Sequence, residues 1–150
     1  MLRLRQVAIR EIMMPDFEIV DHTADIGIVV HGGDLTETFA NAAYAMFSLI
    51  ADLSDVDEDI CHEVETSADD LEGLLVGWLN ELIYLFDVEN IIFKRFEITE
   101  LTGTTLKAKS YGEKVDPSRH KLKTGIKAAT SYMLKIEKKD DFRAHVIFDI

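Results

Sequence analysis

The stretch Phe17-Glu18-Ile19-Val20-Asp21-His22-Thr23-Ala24-Asp25-Ile26-Gly27-Ile28-Val29-Val30-His31-Gly32-Gly33-Asp34 decides the fold class. Apolar residues fall at every second position at Phe17 and Ile19, and again at Ile26, Ile28 and Val30, the period of half-buried strands. The polar corner Asp21 to Asp25 separates the two. His31-Gly32-Gly33 closes the second strand. Asp34-Leu35-Thr36-Glu37 then has the form of a capping box, with Glu37 placed to reach back over the first turn. Leu35, Phe39, Ala43, Met46, Phe47 and Ile50 share one face at helical spacing, so a helix should run to about Ala51.

Working outward, residues 52–59 read as an acidic loop and 60–66 as a strand. Ser67 to Asp70 caps a second helix reaching about Phe86. Its wide apolar face (Leu71, Leu74, Leu75, Trp78, Leu79, Leu82, Ile83) predicts that it is the more deeply buried of the two. Strands follow over 91–99, 101–111, from Ala129 to Ile136, and 143–150, with a polar turn at 138–141. The order is two strands, helix, strand, helix, then strands. It points to an α+β fold, a mainly antiparallel or mixed sheet with two helices on one face. Residues 1–15 read as an N-terminal extension, with Met13 or Met14 as an alternative start, ahead of a single domain over 16–150.

At 150 residues, with 47% hydrophobic and 29% charged residues, the chain has enough material for one well-formed core. The one cysteine, Cys61, leaves no internal disulfide and fits a reducing cytoplasm. The longest apolar run, Leu74 to Phe86, is interrupted by Asn80 and Glu81 and too short for a membrane span. The net charge of −12 is unevenly spread. No Lys or Arg occurs between Glu11 and Phe93, while residues 13–93 carry nineteen Asp and Glu. Residues 101–150 carry eleven Lys and Arg against six acids. Such a chain repels phosphate, which argues against strong direct nucleic-acid binding. The uneven spread is compatible either with a uniformly acidic soluble protein or with a two-sided surface that docks a basic partner.

Most candidate chemistry fails on inspection. Asp55, Asp57 and Asp59 fit the first ligand positions of a calcium loop, but Ile60 stands where glycine is needed and Thr66 where the bidentate glutamate belongs. Cys61 and His62 are neighbours on a strand and point to opposite faces. There is no glycine-rich phosphate loop and no Cys/His spacing for zinc. Two places remain: the polar corner Asp21 to Asp25, and the C-terminus Val146-Ile147-Phe148-Asp149-Ile150, where a strand carries Asp149 and the final carboxylate to a fixed end.

These two segments resemble the archease family. Phe17 to Gly27 looks like its N-terminal signature, and Asp34 to Phe47, with Ala42, Ala43, Ala45 and Met46, like its first helix. Trp78-Leu79-Asn80-Glu81-Leu82 looks like its second helix, His120 to Thr130 like the segment before its last strands, and Phe148-Asp149-Ile150 like its ending. The resemblance covers residues 16–150. Ser131-Tyr132-Met133 departs from the aromatic-histidine step common in the family.

The resemblance implies a non-enzymatic, cytoplasmic cofactor of tRNA splicing. It would activate a GTP-dependent RNA-splicing ligase, promoting ligase guanylation and multiple turnover. It also implies a divalent-metal site, usually calcium, whose ligands fall on Asp25, Asp149 and the terminal carboxylate of Ile150, and a functional lysine at Lys127. Such a donor set is chemically coherent. Clustered carboxylates repel one another, a hard cation offsets this, and calcium tolerates irregular oxygen ligands better than magnesium. The lack of sulfur and imidazole disfavours zinc, while magnesium or manganese remain alternatives. Lys127 would either neutralise a phosphate or pair with Asp25 or Asp149. Two rival readings compete: a metal-dependent phosphoester hydrolase using Asp25, Asp149 and His22, and a metal-independent, chaperone-like binding module.

Overall fold

The computed structural model describes residues 2–4, 17–21 and 25–150. His22, and most of the expected N-terminal extension, lie outside the described residues. The elements are β1 (Leu2–Leu4), β2 (Phe17–Asp21), β3 (Asp25–Gly32), α1 (Leu35–Ile50), a 3-10 turn (Leu53–Asp55), β4 (Ile60–Ser67), α2 (Leu71–Glu89), β5 (Ile91–Leu101), β6 (Thr105–Lys114), β7 (Ala128–Lys138) and β8 (Phe142–Asp149). The fold is α+β, and every strand pairing among the described residues is antiparallel.

The strands divide into two sheets, ordered β1-β2-β3-β8-β7 and β4-β6-β5, where a single sheet was the simplest expectation. Both helices contact strands of both sheets, so the core is shared. Apolar alternation along a strand fixes which face is buried but not which strands share a sheet.

The capping box forms. The Glu37 N–H donates to Asp34 Oδ1 at 2.7 Å, and the Gly33 N–H donates to Glu37 Oε1 at 2.8 Å. The other end of α1 is closed from a distance. Lys123 and Thr124 donate their N–H groups to the carbonyls of Ile50 (2.8 Å) and Leu49 (3.0 Å), two of the helix's orphan acceptors. α2 starts from an Asp70 cap and ends at Asn90 in the left-handed conformation.

The burial order of the helices is the reverse of the sequence expectation. α1 buries ten of its sixteen residues, against seven of nineteen for α2. The small residues Ala42, Ala43 and Ala45 let α1 approach β3 and β5, whereas α2 leaves Tyr84 and Val88 exposed. Phe47, Phe93 and Phe96 pack ring against ring, and fully buried Trp78 donates its Nε1–H to the Phe39 carbonyl at 3.0 Å.

Part of the early acidic block lies beside basic residues from later in the chain. In the second sheet Lys109 is the register partner of both Glu63 and Glu97, and Lys107 of both Glu65 and Glu100. The acidic loop is stitched down by cations. Lys94 Nζ donates to the Val56 carbonyl (2.8 Å), Arg95 Nε to Glu58 Oε1 (2.8 Å), and Arg119 Nη2 to the Asp55 carbonyl (3.0 Å).

Candidate functional site

β3 and β8 lie side by side with unbroken register from Gly32↔Phe142 to Asp25↔Asp149. On β3, Ile26, Ile28 and Val30 face the core, so Asp25 lies on the opposite face. Residues directly opposite on antiparallel strands share a face, with Cβ atoms about 4.5–5.5 Å apart. The register therefore sets the Asp25 and Asp149 carboxylates next to each other. Asp25 is half-buried with its Oδ1 shut away from solvent, while Asp149 and Ile150 are exposed. Ile150 directly follows Asp149 at the same strand end. Asp21 ends β2 as the register partner of Ile26, one position from Asp25.

Lys127 enters from the other side. Ala128 is the second register partner of Asp149, and the Lys127 N–H donates to the Asp149 carbonyl at 2.8 Å. The Lys127 side chain is exposed. Its ammonium makes no ion pair among the described residues, which leaves it open to an incoming anion. Three residues named by the family resemblance, Asp25, Lys127 and Asp149, thus meet through the backbone at one end of the larger sheet, with Ile150 next in the chain. Asp25 and Asp149 offer carboxylate oxygens from neighbouring strands. Such a set suits a hard divalent cation.

Just beyond, β7 loses its register between Thr130 and Lys135. Met133 takes a positive φ of 53°, and Tyr132 and Met133 are exposed. The unusual step Ser131-Tyr132-Met133 is therefore a bulge on the edge strand, a feature of chain geometry that residue types alone do not announce.

A second polar centre was not expected from the sequence. Asp57 and Asp59 of the acidic loop and Glu113 of β6 bring carboxylate oxygens within 4.8 Å of one another. Glu113 is buried, and its Oε2 accepts from the Asp57 N–H (2.6 Å), Arg119 Nη2 (2.5 Å) and His120 Nε2 (3.1 Å). His120 Nδ1 accepts the Asp116 N–H at 2.8 Å, which assigns the ring proton to Nε2. The Asp57 N–H, followed by Arg119 and His120, holds the Glu113 carboxyl below its ordinary range. An oxygen with three donors is already satisfied, so this cluster is a clasp between loop and sheet rather than a cation cage. Its partners lie 56 residues apart in sequence, which is why no local pattern found it.

Residues 17–150 match the archease protein family (MTH1598/TM1083). The protein archease of Methanosarcina acetivorans is 42% identical over 139 residues, covering 89% of this chain and 95% of that one. That of Pyrococcus abyssi is 43% identical over 142 residues, covering 91% and 100%. Among solved structures, Methanobacterium thermoautotrophicum protein 1598 superposes with a TM-score of 0.78 at 36% identity, covering 89% of this chain and 98% of that one. An archease of Thermotoga maritima, described as a possible chaperone, shares the fold with a TM-score of 0.60 at 23% identity, covering 87% and 94%.

Proposed function

Because this chain belongs to the archease family, we propose that it is a non-catalytic activator of a GTP-dependent RNA-splicing ligase. It promotes ligase guanylation and multiple turnover in cytoplasmic tRNA splicing, with calcium or another divalent cation held by Asp25, Asp149 and the Ile150 carboxylate. The observation that carries this reading is the register pairing of Asp25 with Asp149 at the sheet end where the chain stops. Two carboxylates fixed side by side are electrostatically costly unless something positive sits between them. The cation would supply that charge and present the sheet end as a preformed polar surface. Lys127, beside it and without an ion-pair partner among the described residues, suits an incoming phosphate of the ligase's nucleotide or RNA end.

The rival hydrolase reading needs a general base beside the metal; metal-dependent turnover of phosphoesters by the purified protein alone would favour it.

The test is a guanylation assay with the purified ligase, GTP and this protein. Asp25→Ala, Asp149→Ala and a chain lacking Ile150 should each lose most of the stimulation, and chelation should reproduce the loss in the wild type. Full stimulation by all three variants rejects the site. Stimulation that survives both chelation and loss of Ile150 favours the metal-independent, chaperone-like module instead.

A further inference from the structure

The part of β7 that holds the candidate site is short. Only Ala128, Ala129 and Thr130 pair with Asp149, Phe148 and Ile147 before the bulge breaks the register. Among the described residues β7 is also the last strand in its sheet, with no further strand outside it. Two side chains clamp this three-residue segment. Thr130 Oγ1 donates to the Ile147 carbonyl at 2.9 Å, on the β8 side. From the other side, Asn80 in the middle of α2 grips Ala129 twice. Its Oδ1 accepts the Ala129 N–H at 2.8 Å, and its Nδ2 donates to the Ala129 carbonyl at 3.1 Å. A carboxamide presents one acceptor and one donor in one plane, the same pair a neighbouring strand would offer. Asn80 therefore stands where a further β-strand would be, at the middle residue of the segment.

From this geometry we infer that Asn80 is a positioning residue for the cation site. By fixing Ala129 it fixes Ala128 against Asp149, and with it the Lys127 N–H on the Asp149 carbonyl. The carboxylate pair and Lys127 thus owe their spacing to a residue on a helix that touches none of them. The site is then a property of helix and sheet together, tied to the core through Trp78 and Leu79, both fully buried next to Asn80. Of the residues near the middle of α2, an aspartate would keep the acceptor but lose the donor and repel the carbonyl. An alanine would lose both contacts. The inference rests on the cation reading above for its functional meaning but not for its structural content.

The test compares Asn80→Ala with Val64→Ala, a core truncation in the other sheet that lowers stability without touching β7. Two readouts are taken on the full chain. The first is amide exchange in metal-free protein at Lys127 and along 147–149, groups that do not contact Asn80. The second is calcium affinity by titration. Asn80→Ala should accelerate those amides well beyond Val64→Ala and weaken calcium binding by about tenfold or more, the usual cost of removing a group that orients ligands. Asn80→Asp should fall between alanine and wild type in exchange. Equal behaviour of Asn80→Ala and Val64→Ala in both readouts overturns the inference. A wild type that binds no calcium overturns the cation reading alone, and the exchange data then still decide whether Asn80 positions the segment.

Discussion

Replacing Asp149 by asparagine should stabilise the metal-free protein and destabilise the calcium-loaded one relative to wild type. Asp149 faces Asp25 in strict register on one face of the sheet, and such partners have Cβ atoms about 4.5–5.5 Å apart. Two like charges about 4 Å apart repel by about 1 kcal/mol in water and about 4 kcal/mol at the effective dielectric of a protein surface. Asp149 is exposed, which places the cost near the lower figure. Removing it should raise the melting temperature by about 2–4 °C in a chain of this length. With calcium at a hundred times its dissociation constant, wild type should gain about 2.7 kcal/mol, and the variant much less. The rank order therefore inverts between chelator and calcium. The assay is thermal unfolding followed by circular dichroism in both conditions, repeated at high salt, where the metal-free difference should shrink. Loss of stability in chelator together with an undiminished calcium response would refute the reasoning, because the two carboxylates would then neither repel each other nor share an ion.

Other expectations concern single residues. Lys127→Ala should leave stability within about 0.5 kcal/mol, as expected for an exposed side chain, and reduce ligase guanylation by about tenfold or more, the scale of one charge-assisted hydrogen bond. Unchanged guanylation would remove Lys127 from the site. Gly112→Ala should cost about 3 kcal/mol or more in urea unfolding, because a Cβ there would sit 1.8 Å from the Ile92 carbonyl oxygen. Gly103→Ala, with open space around it, is the control and should behave as wild type. Glu113→Gln should be less stable than wild type at neutral pH and flatter on acidification. The Glu113 carboxyl is held below its ordinary 4.5, so its contribution is present above that value and is lost as pH falls through the lowered one. Parallel pH–stability curves for the two proteins would show that the clasp carries no such linkage.

What was legible in the sequence followed from local periodicity. The Asp34–Glu37 cap, the end of α1 at Ala51 and the strands around Ile28 and Val146 all depend on residues within a turn or a pleat of one another. The family likeness supplied Asp25, Asp149, Ile150 and Lys127, and the register shows three of these, Asp25, Asp149 and Lys127, meeting at one sheet end. What was not legible depends on contacts across the chain. The wide apolar face of α2 suggested deeper burial than α1, yet α1, with small Ala42, Ala43 and Ala45, buries the larger share of its residues. The Glu113 clasp and the Asn80 grip join residues 56 and 49 positions apart, and neither has a local signature. Even the hairpin between β5 and β6 shifted. Thr102 Oγ1 accepts the N–H groups of Thr104 and Thr105, so the turn takes residues that alternation had assigned to the second strand.

The most direct test of the central claim is a crystal structure of the full chain grown with calcium, with the ion located by its anomalous signal. One calcium is expected between Asp25, Asp149 and the Ile150 carboxylate, with oxygen contacts of about 2.3–2.6 Å. Calcium found at Asp57, Asp59 and Glu113 instead, or a sheet end that stays empty at saturating calcium, would contradict it.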